Sequence, residues 1–333
     1  MICAVLGFRT RALAGAALLC KSAVVWAVLA GCAALGIGWR AWFLAGDPGA
    51  MKPLMAFRPF ALIAKETLTK GSPGAAPVRQ LTFALPAGQS LHSLGFDLGL
   101  GDFVQVRPPG LLAKARSYSP TSPAKRRGSF DITVKVYTNG VVSGHLDGLA
   151  IGEEALISGP APVPWLALRM HPSPEVGLVA FGVGITEALP VAEAQLLRLL
   201  EGGDGGGGGD WAVARVVLLW ANRQWVDTFW HHRLAALEAV YGDRFRLVHV
   251  LSREEREGCL HSRVTPTVLA TVFGDLDRKQ STFLVVGTKV MKRDAYARLK
   301  SIGFTGGQLL TKGLRAPWQW RDRSSSRTME EDE

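Results

Sequence analysis

Residue types that could bind a planar, charged cofactor first occur together in the run 116–122, Arg-Ser-Tyr-Ser-Pro-Thr-Ser. Alternate side chains of a β-strand point to the same face, so Arg116 and Tyr118 are predicted to point the same way. With the hydroxyls of Ser119 and Ser122, they could offer a charge to a pyrophosphate, a ring to a planar heterocycle and a donor to a ring nitrogen. Taken alone, the run is also typical of a Pro/Ser-rich turn without a ligand.

A second group of candidate residues follows at the end of the next predicted strand. Its members are Lys135, Tyr137, Gly140, Val141, Val142 and Ser143. Glycine permits a close backbone approach to a ligand, and we expect Ser143 to cap a short helix whose free N–H groups would bind phosphate. Two such groups in succession on a predicted barrel are more specific than either one.

The elements that must position these groups differ between the two halves of the chain. From Phe57 to about Pro164, short alternating or β-branched runs separated by Gly and Pro predict a small antiparallel barrel or sandwich. From about Pro174 onward, strands alternate with helices, which predicts a parallel, doubly wound sheet. The predicted strands of this half are 177–181, 213–220, 245–251 and 282–287. Its predicted helices are 187–201, 227–241, 266–273 and 291–302.

Composition argues against several classes of protein. The 333-residue chain has a net charge of +10, and its basic residues are scattered. Such a surface suits binding to an acidic electron-carrier protein or to an anionic membrane. No nucleic-acid partner is predicted. Three of its four cysteines lie before residue 40, and their spacing predicts neither a structural zinc nor a disulfide framework. We expect His231 and His232 at the surface and Trp220, Trp225 and Trp230 in packing.

Residues 22–39 form an uncharged run rich in Ala, Val, Leu and Gly. At about 1.5 Å per residue, a helix of this length can just cross a hydrocarbon core of about 30 Å. The segment before Asp47 contains arginines and no acidic residue. This composition is typical of a mitochondrial targeting segment and also of a signal anchor. We expect an uncleaved anchor, in a mitochondrial membrane in preference to the endoplasmic reticulum. The alternative is a targeting peptide that is removed.

Together these features resemble the ferredoxin–NADP reductase superfamily, and most closely its NADH–cytochrome b5 reductase branch. The matching family motifs are Phe-Arg-Pro-Phe (57–60), Arg-x-Tyr-Ser/Thr-x-x-Ser (116–122), Lys-x-Tyr (135–137), Gly-x-x-Ser (140–143) and Gly-Pro (159–160). The resemblance implies that Arg116 binds the FAD pyrophosphate and that Tyr118 packs against the flavin and ribityl chain. It also implies a hydrogen bond from Ser119 near flavin N5.

The resemblance is less complete on the dinucleotide side. The family loop Gly-Gly-Thr-Gly-Ile-Thr-Pro reads Phe-Gly-Val-Gly-Ile-Thr-Glu at residues 181–187. This loop, which the resemblance assigns to the dinucleotide pyrophosphate, retains Gly182, Gly184 and Thr186. The Cys-Gly-Pro-Pro that the family carries beside the nicotinamide reads Val-Gly-Thr-Lys at residues 286–289, where Gly287 is retained. A degenerate relative without turnover therefore remains an alternative.

The residues that follow Leu251 bear on the choice of nucleotide. An acidic residue at such a strand end binds the ribose hydroxyls of NADH and repels a 2′-phosphate. Here Ser252 and Arg253 remove the repulsion and offer a phosphate ligand. NADP-using members of the superfamily carry a similar Ser-Arg. A solvated charge run is the alternative, because Arg253 begins the sequence Arg-Glu-Glu-Arg.

We therefore predict an α+β two-domain protein with an antiparallel β-barrel FAD domain, a following α/β doubly wound (Rossmann-like) nucleotide domain and an N-terminal hydrophobic helix. The predicted segments are an anchor with linker (1–50), the FAD domain (51–165), the NAD(P) domain (166–320) and a disordered tail (321–333). NADH or NADPH would reduce FAD, and a cytochrome b5-like or other haem protein would accept the electrons. Ser119 and Thr186 are the catalytic candidates, and no metal is expected. The alternative is a membrane-anchored scaffold or accessory subunit that does not turn over dinucleotide.

Overall fold

The structure, a computed structural model, describes residues 57–96, 98, 101–110, 113–159, 175–201, 215–305 and 309–310. The predicted anchor and the predicted disordered tail lie outside these residues. Within the described ranges, no helix has both the length and the apolar character needed to cross a membrane.

The first half of the described chain is a six-stranded antiparallel sheet in the order β4-β3-β6-β1-β2-β5. Its strands are β1 (Arg58–Thr69), β2 (Val78–Ala84), β3 (Val104–Arg107), β4 (Arg116–Tyr118), β5 (Ser129–Lys135) and β6 (Glu154–Ser158). Helix α1 (Val141–Gly148) connects β5 to β6. A backbone bridge joins Pro120, just beyond β4, to Ile132 of β5. This bridge closes the sheet into a small barrel.

Alternating apolar side chains fill the barrel. The largest fully buried ones are Leu62, Leu81, Leu91, Phe83, Phe130, Ile132, Leu146 and Ile157. The Phe130 ring contacts the ring of Phe60 edge to face, with 6.0 Å between the ring centroids. Burial of each such side chain stabilises the fold by about 1.5–3 kcal/mol. The packed barrel therefore holds the ends of its strands in fixed positions.

The second half is a parallel sheet in the order β10-β9-β8-β7-β11-β12. Its strands are β7 (Glu175–Phe181), β8 (Arg215–Asn222), β9 (Phe245–Leu251), β10 (Leu260–His261), β11 (Ser281–Val286) and β12 (Leu309–Leu310). The α-helices described here are α2 (Ile185–Glu201), α3 (His231–Tyr241), α4 (Pro266–Phe273) and α5 (Lys289–Ser301). The strand order reverses between β7 and β11, and a crevice at the carboxyl ends of the strands is expected at that point.

The periodicity of the second half predicts most of these elements within a few residues, and β9 and α4 have the predicted bounds. The predicted start of helix 227–241 is wrong, because α3 begins at His231. The Gln224 and Asp227 side chains form a capping box around a separate 3₁₀ turn, and Trp230 then adopts a left-handed backbone with φ of 62°. These two features prevent a continuous helix.

Several polar contacts join the barrel to the parallel half, and two of them are made by the Asp227 carboxylate. Asp227 accepts hydrogen bonds from the backbone N–H and the hydroxyl of Ser72, at 2.8 and 3.1 Å. Thr69 donates to the backbone carbonyl of Val226 at 2.6 Å. Arg233 of α3 donates to the Thr121 carbonyl of the barrel at 2.7 Å. These contacts fix how the two halves of the site face each other.

Candidate active site

A cleft with a volume of about 1230 Å³ is lined by residues of both sheets. The barrel contributes β4, the end of β5 and the start of α1. The parallel half contributes the segments that follow β7, β8, β9, β10 and β11. Ligands of doubly wound sheets bind at this position, outside the carboxyl ends of the strands.

The cleft brings most of the predicted site residues together. From the barrel these are Arg116, Tyr118, Ser119, Lys135, Tyr137, Gly140, Val141, Val142 and Ser143. From the parallel half they are Gly182, Gly184, Thr186, Ser252, Arg253 and Gly287. The structure does not bring Ser122 into the described lining of the cleft.

Ser122 instead belongs to the closure of the barrel. Its side chain is buried, and its hydroxyl accepts a hydrogen bond from the Asp131 backbone N–H at 3.1 Å. The Asp131 carboxylate is held in turn by two nitrogens of Arg126, at 2.6 and 2.9 Å. The role of Ser122 is therefore to fix the segment after β4, and Arg116 and Tyr118 depend on that segment for their position.

Arg116 and Tyr118 lie on the same face of β4, as the alternation predicts. The Tyr118 ring packs against the barrel core, and burial raises the pKa of its phenol to about 12, although the Arg116 charge opposes the shift. The phenol therefore stays neutral at physiological pH. Arg116 is exposed towards the cleft, where its guanidinium can meet an anionic ligand.

The start of α1 offers backbone donors, but Ser143 does not cap the helix. Its hydroxyl accepts from the Tyr137 N–H at 3.2 Å and donates to the Gly140 carbonyl at 3.3 Å. The N-cap residue is Gly140, and no side chain caps α1 within the described chain. A Cβ at Gly140 would lie 2.2 Å from the Ser143 hydroxyl, so a larger residue there would displace this hydroxyl and its two hydrogen bonds. Uncapped N–H groups at a helix start favour an anion.

Lys135 lies at the end of β5, where the two halves of the cleft meet. Desolvation by burial lowers the pKa of its ammonium. The carboxylate of Asp227 opposes this shift and the guanidinium of Arg223 adds to it. A cation with an incomplete set of solvating groups is well placed to receive an anionic or polar ligand.

The loop after β7 is a 3₁₀ turn, Gly182–Gly184, that leads into α2. Gly182 has a φ of 53°, and the buried indole of Trp220 donates to its carbonyl at 2.8 Å. The Thr186 hydroxyl donates to the Val183 carbonyl at 2.9 Å. A Cβ at Gly184 would lie 2.7 Å from the Val286 carbonyl oxygen, so glycine is required where β7 and β11 approach each other.

Phe181 takes the place of the first glycine of the family loop. Its ring lies against Gly287, where an added Cβ would be 2.9 Å from a ring carbon. Phe181, Val286 and Gly287 all line the cleft. An aromatic side chain therefore covers one wall at the switch point between β7 and β11.

Sequence reasoning missed several lining residues, among them Thr133, Asn222, Arg223, Ser262 and Arg263. Asn222 is buried, and its side-chain nitrogen has no hydrogen-bond partner within the described chain. The position of Asn222 and Arg223 at the end of a parallel strand was the available signal.

The residues of the cleft fit FAD and a nicotinamide dinucleotide. Its described cationic lining residues are Lys114, Arg116, Lys135, Arg223, Arg253, Arg263 and Arg298, against the carboxylates of Glu187 and Asp294. This balance favours ligands that carry phosphate groups. The glycine-lined turns and the orphaned amide nitrogen of Asn222 also leave room and a donor for a ligand. Within the described chain, no group of His, Cys, Asp and Glu could hold a metal ion.

Comparisons with known proteins assign the two halves of the chain to two kinds of oxidoreductase domain. Residues 66–162 match the oxidoreductase FAD-binding domain, and residues 178–296 match the oxidoreductase NAD-binding domain. The chain is 30% identical over 234 residues to NADH-cytochrome b5 reductase 1 of Ajellomyces capsulatus, which covers 69% of this chain and 71% of that relative. It is 29% identical to NADH-cytochrome b5 reductase 2 of Botryotinia fuckeliana, over 57% of this chain and 53% of that relative.

The fold is also found among solved structures. The cytochrome b5 reductase domain of Ulva prolifera nitrate reductase aligns with a TM-score of 0.63 and 19% identity, over 78% of this chain and 98% of that domain. At this identity the likeness shows the fold, whereas the sequence matches show the family. The chain belongs to the NADH-cytochrome b5 reductase family and is an oxidoreductase with an FAD-binding and an NAD-binding domain.

Proposed function

We propose that this protein passes a hydride from NADH or NADPH to FAD and then passes single electrons to a haem protein such as cytochrome b5. The observation that carries the proposal is the shared cleft. Arg116 and Tyr118 of the barrel line the same cavity as the Gly182–Gly184 turn of the parallel sheet. The names of the curated relatives, NADH-cytochrome b5 reductases, support cytochrome b5 as the acceptor.

On the barrel side, Arg116 would bind the FAD pyrophosphate together with the uncapped N–H groups at the start of α1. Tyr118 would pack against the ring system, because its ring is already held by the barrel core. Ser119 would donate a hydrogen bond to the flavin from the end of β4. Bound FAD supplies hydride acceptance and one-electron release, and the protein supplies binding and orientation.

On the parallel side, the Gly182–Gly184 turn would hold the dinucleotide pyrophosphate at the start of α2. Thr186 would act mainly by holding this turn, since its hydroxyl donates to Val183. The nicotinamide would then lie near Gly287, on the wall that Phe181 covers. Lys135, between the two halves, would orient the dinucleotide through its ammonium group. Each of these contacts serves to align the two reacting rings and to exclude water.

An electron acceptor with an acidic surface suits the charge of the chain. The net charge is +10, and opposite charge speeds the encounter of electron-transfer partners. Exposed apolar side chains, including Tyr137 and Val141, lie at the same cleft. We therefore favour cytochrome b5 or a similar acidic haem protein as the partner.

The test is the visible spectrum of the purified full chain, recorded before and after NADH or NADPH is added without oxygen. We expect a yellow protein whose flavin band bleaches, and subsequent reduction of added cytochrome b5. A colourless protein that stays colourless with excess FAD would contradict the proposal. Reduction of cytochrome c, measured in parallel, shows whether the electrons pass specifically to cytochrome b5 or to any haem protein.

The second candidate is a membrane-anchored flavin scaffold or accessory subunit without dinucleotide turnover. Two observations favour it: the Phe181 ring covers Gly287, and valine stands at position 286 where the family motif has cysteine. In the same experiment, a coloured protein that neither nucleotide bleaches would support this candidate over the reductase.

We also propose that residues 22–39 tether the protein to a membrane, and we favour a mitochondrial membrane. The apolar, uncharged run and the arginines before it support this location. Cell fractionation of the full chain, with and without residues 1–50, tests it. Recovery of the full chain in the soluble fraction would contradict the tether, and its recovery with endoplasmic reticulum markers would contradict the mitochondrial location.

A further inference from the structure

Three neighbouring parallel strands end in the same kind of residue pair. An amide or hydroxyl residue is followed by arginine in Asn222-Arg223, which begins with the last residue of β8, in Ser252-Arg253 after β9 and in Ser262-Arg263 after β10. All six residues line the cleft. Backbone hydrogen bonds hold the three ends side by side: Ser252 N–H to the Asn222 carbonyl at 3.1 Å, Arg253 N–H to the Arg223 carbonyl at 2.9 Å and Ser262 N–H to the Leu251 carbonyl at 3.0 Å.

The carboxylates that follow Arg253 do not neutralise this group. Glu254 accepts the Trp225 backbone N–H at 2.7 Å, and Glu255 pairs with His261 at 3.1 Å. Neither glutamate is a described lining residue of the cleft. The sequence Arg-Glu-Glu-Arg is therefore not a uniform solvated run, because Arg253 lines the cleft and the two glutamates contact groups outside it.

The carboxylates in the described lining of the cleft are those of Glu187 and Asp294. They lie on α2 and α5, which follow β7 and β11, and not at the three strand ends. The pyrophosphate of a dinucleotide is assigned to the turn after β7. The three arginines therefore form a separate concentration of positive charge on the side of β8, β9 and β10.

The arginine side chains are also available to a ligand. Arg253 and Arg263 have no ion-pair or hydrogen-bond partner for their guanidinium groups in the part of the chain that the structure describes. Arg223 has a 3.8 Å contact with Asp227, which is longer than a hydrogen bond. Such groups, with serine hydroxyls beside them, can bind a phosphate through several charge-assisted hydrogen bonds.

We propose that Arg223, Arg253 and Arg263 bind a phosphomonoester on the adenosine ribose, so that NADPH is the preferred hydride donor. The inference rests on the proposed dinucleotide site and names its substrate. A 2′-phosphate carries about −1.5 to −2 charges at neutral pH, which one arginine alone would leave largely uncompensated. Ser252, at the place where a carboxylate would bind the ribose of NADH, offers a hydroxyl donor without repulsion.

The test is calorimetric titration of the full-length, FAD-loaded protein with two probes, adenosine 2′,5′-bisphosphate and adenosine 5′-monophosphate. We expect the bisphosphate to bind at least roughly 30-fold more tightly, since the 2′-phosphate meets more than one cation. Replacing either Arg253 or Arg263 by alanine should weaken binding of the bisphosphate by roughly tenfold. The affinity for the monophosphate should change by no more than about twofold.

Arg244→Ala is the matched control. Arg244 is exposed and precedes β9, at the end of the strand opposite to Arg253, so the same loss of charge should change neither affinity. Ser252→Asp retains all three arginines and should weaken binding of the bisphosphate but not of the monophosphate. This variant provides the test if an arginine variant does not fold. Equal affinity of the wild type for the two probes, or a bisphosphate affinity that no cleft variant changes, would overturn the inference.

The result can be separated from failure of the proposed function. If the flavin bleaches equally well with NADH and NADPH and the probes bind alike, the reductase stands and the phosphomonoester site is wrong. If the bisphosphate binds selectively but neither nucleotide bleaches the flavin, the phosphomonoester site stands and the reductase activity is wrong.

Discussion

The two sides of the cleft use their polar residues differently. On the barrel side, many hydroxyls of the motif region are already bonded to the fold: Ser122 to Asp131, Ser143 to Tyr137 and Thr133 to Thr121. On the parallel side, within the residues that the structure describes, the guanidinium groups of Arg253 and Arg263 and the amide nitrogen of Asn222 have no partner, and Arg223 has a 3.8 Å contact with Asp227. The difference indicates that the barrel motif is largely a scaffold for Arg116 and Tyr118, whereas the strand ends are directly available for ligand recognition.

Arg116 is the exposed cation of the barrel motif, and it lines the cleft. We predict that Arg116→Ala lowers FAD affinity by about 2–3 kcal/mol, roughly 30- to 150-fold, through the lost charge-assisted contact with the pyrophosphate. The flavin content of the purified variant, measured by its absorbance, checks this. Arg127→Ala is the control, since Arg127 is exposed on the same barrel away from the described lining. Full flavin content in Arg116→Ala would remove Arg116 from the site.

Acid should destabilise the parallel half of the protein through His249, which lies on β9. The pKa of His249 is lowered to about 4, mainly by burial, and the charges of His231 and Arg256 act in the same direction. The unfolded histidine binds a proton below about pH 6.5, whereas the folded one does not until about pH 4, so stability is lost as the pH falls through this window. We predict a loss of about 2 kcal/mol in the free energy of unfolding between pH 7 and pH 5 from this residue.

Urea unfolding of the wild type and of His249→Phe at the two pH values measures this loss. The variant should show a pH dependence that is smaller by about the same 2 kcal/mol, because it keeps an aromatic ring beside Trp220 and Trp225 and cannot bind a proton. The same substitution at the exposed His232 is the control and should leave the pH dependence unchanged. An identical pH dependence in His249→Phe and the wild type would contradict the assignment.

Gly184→Ala should affect the parallel side alone. The added Cβ would lie 2.7 Å from the Val286 carbonyl oxygen, so the turn after β7 must move away from β11. We predict roughly tenfold weaker dinucleotide binding with unchanged flavin content, as expected when a loop that meets a pyrophosphate is displaced. Gly148→Ala, where the new atom meets nothing within 4 Å, is the control. Loss of flavin from Gly184→Ala would mean that the two sides are not separable.

The sequence predicts those parts of the molecule that depend on neighbours along the chain. The alternation of Arg116 and Tyr118 and the periodicity of β9 and α4 are local, and the structure has them as predicted. The role of Ser122 was missed because it depends on Asp131 across the closure of the barrel. Ser143 was expected to cap α1, but its hydroxyl is bonded to the chain before the helix.

The arginines at the strand ends show the same limit in the parallel sheet. Arg253 could be found from one turn, but its placement beside Arg223 depends on the parallel register of β8 and β9. Arg263 follows β10, which has two residues and is too short for any periodicity to reveal. Long-range pairing, and not residue type, decided which cations share the site.

The smallest expected effect concerns Phe181, whose ring lies where the family loop has glycine. We predict that Phe181→Ala accelerates bleaching of the flavin by roughly three- to tenfold, because the nicotinamide can then approach Gly287 more closely. The same change should cost about 1–2 kcal/mol of stability, since the ring is half-buried against the core beside β11. Stopped-flow reduction and urea unfolding measure the two effects.

Gly287→Ala provides the opposite change at the same contact. Its added Cβ would lie 2.9 Å from the Phe181 ring and would push the ring further into the cleft, so bleaching should become slower while flavin content is retained. If the ring instead supports the nicotinamide by stacking, Phe181→Ala will be slower than the wild type. That result would show that the Phe181 ring is part of the dinucleotide site. Phe181, at the position of the family glycine, would then contact the nicotinamide directly.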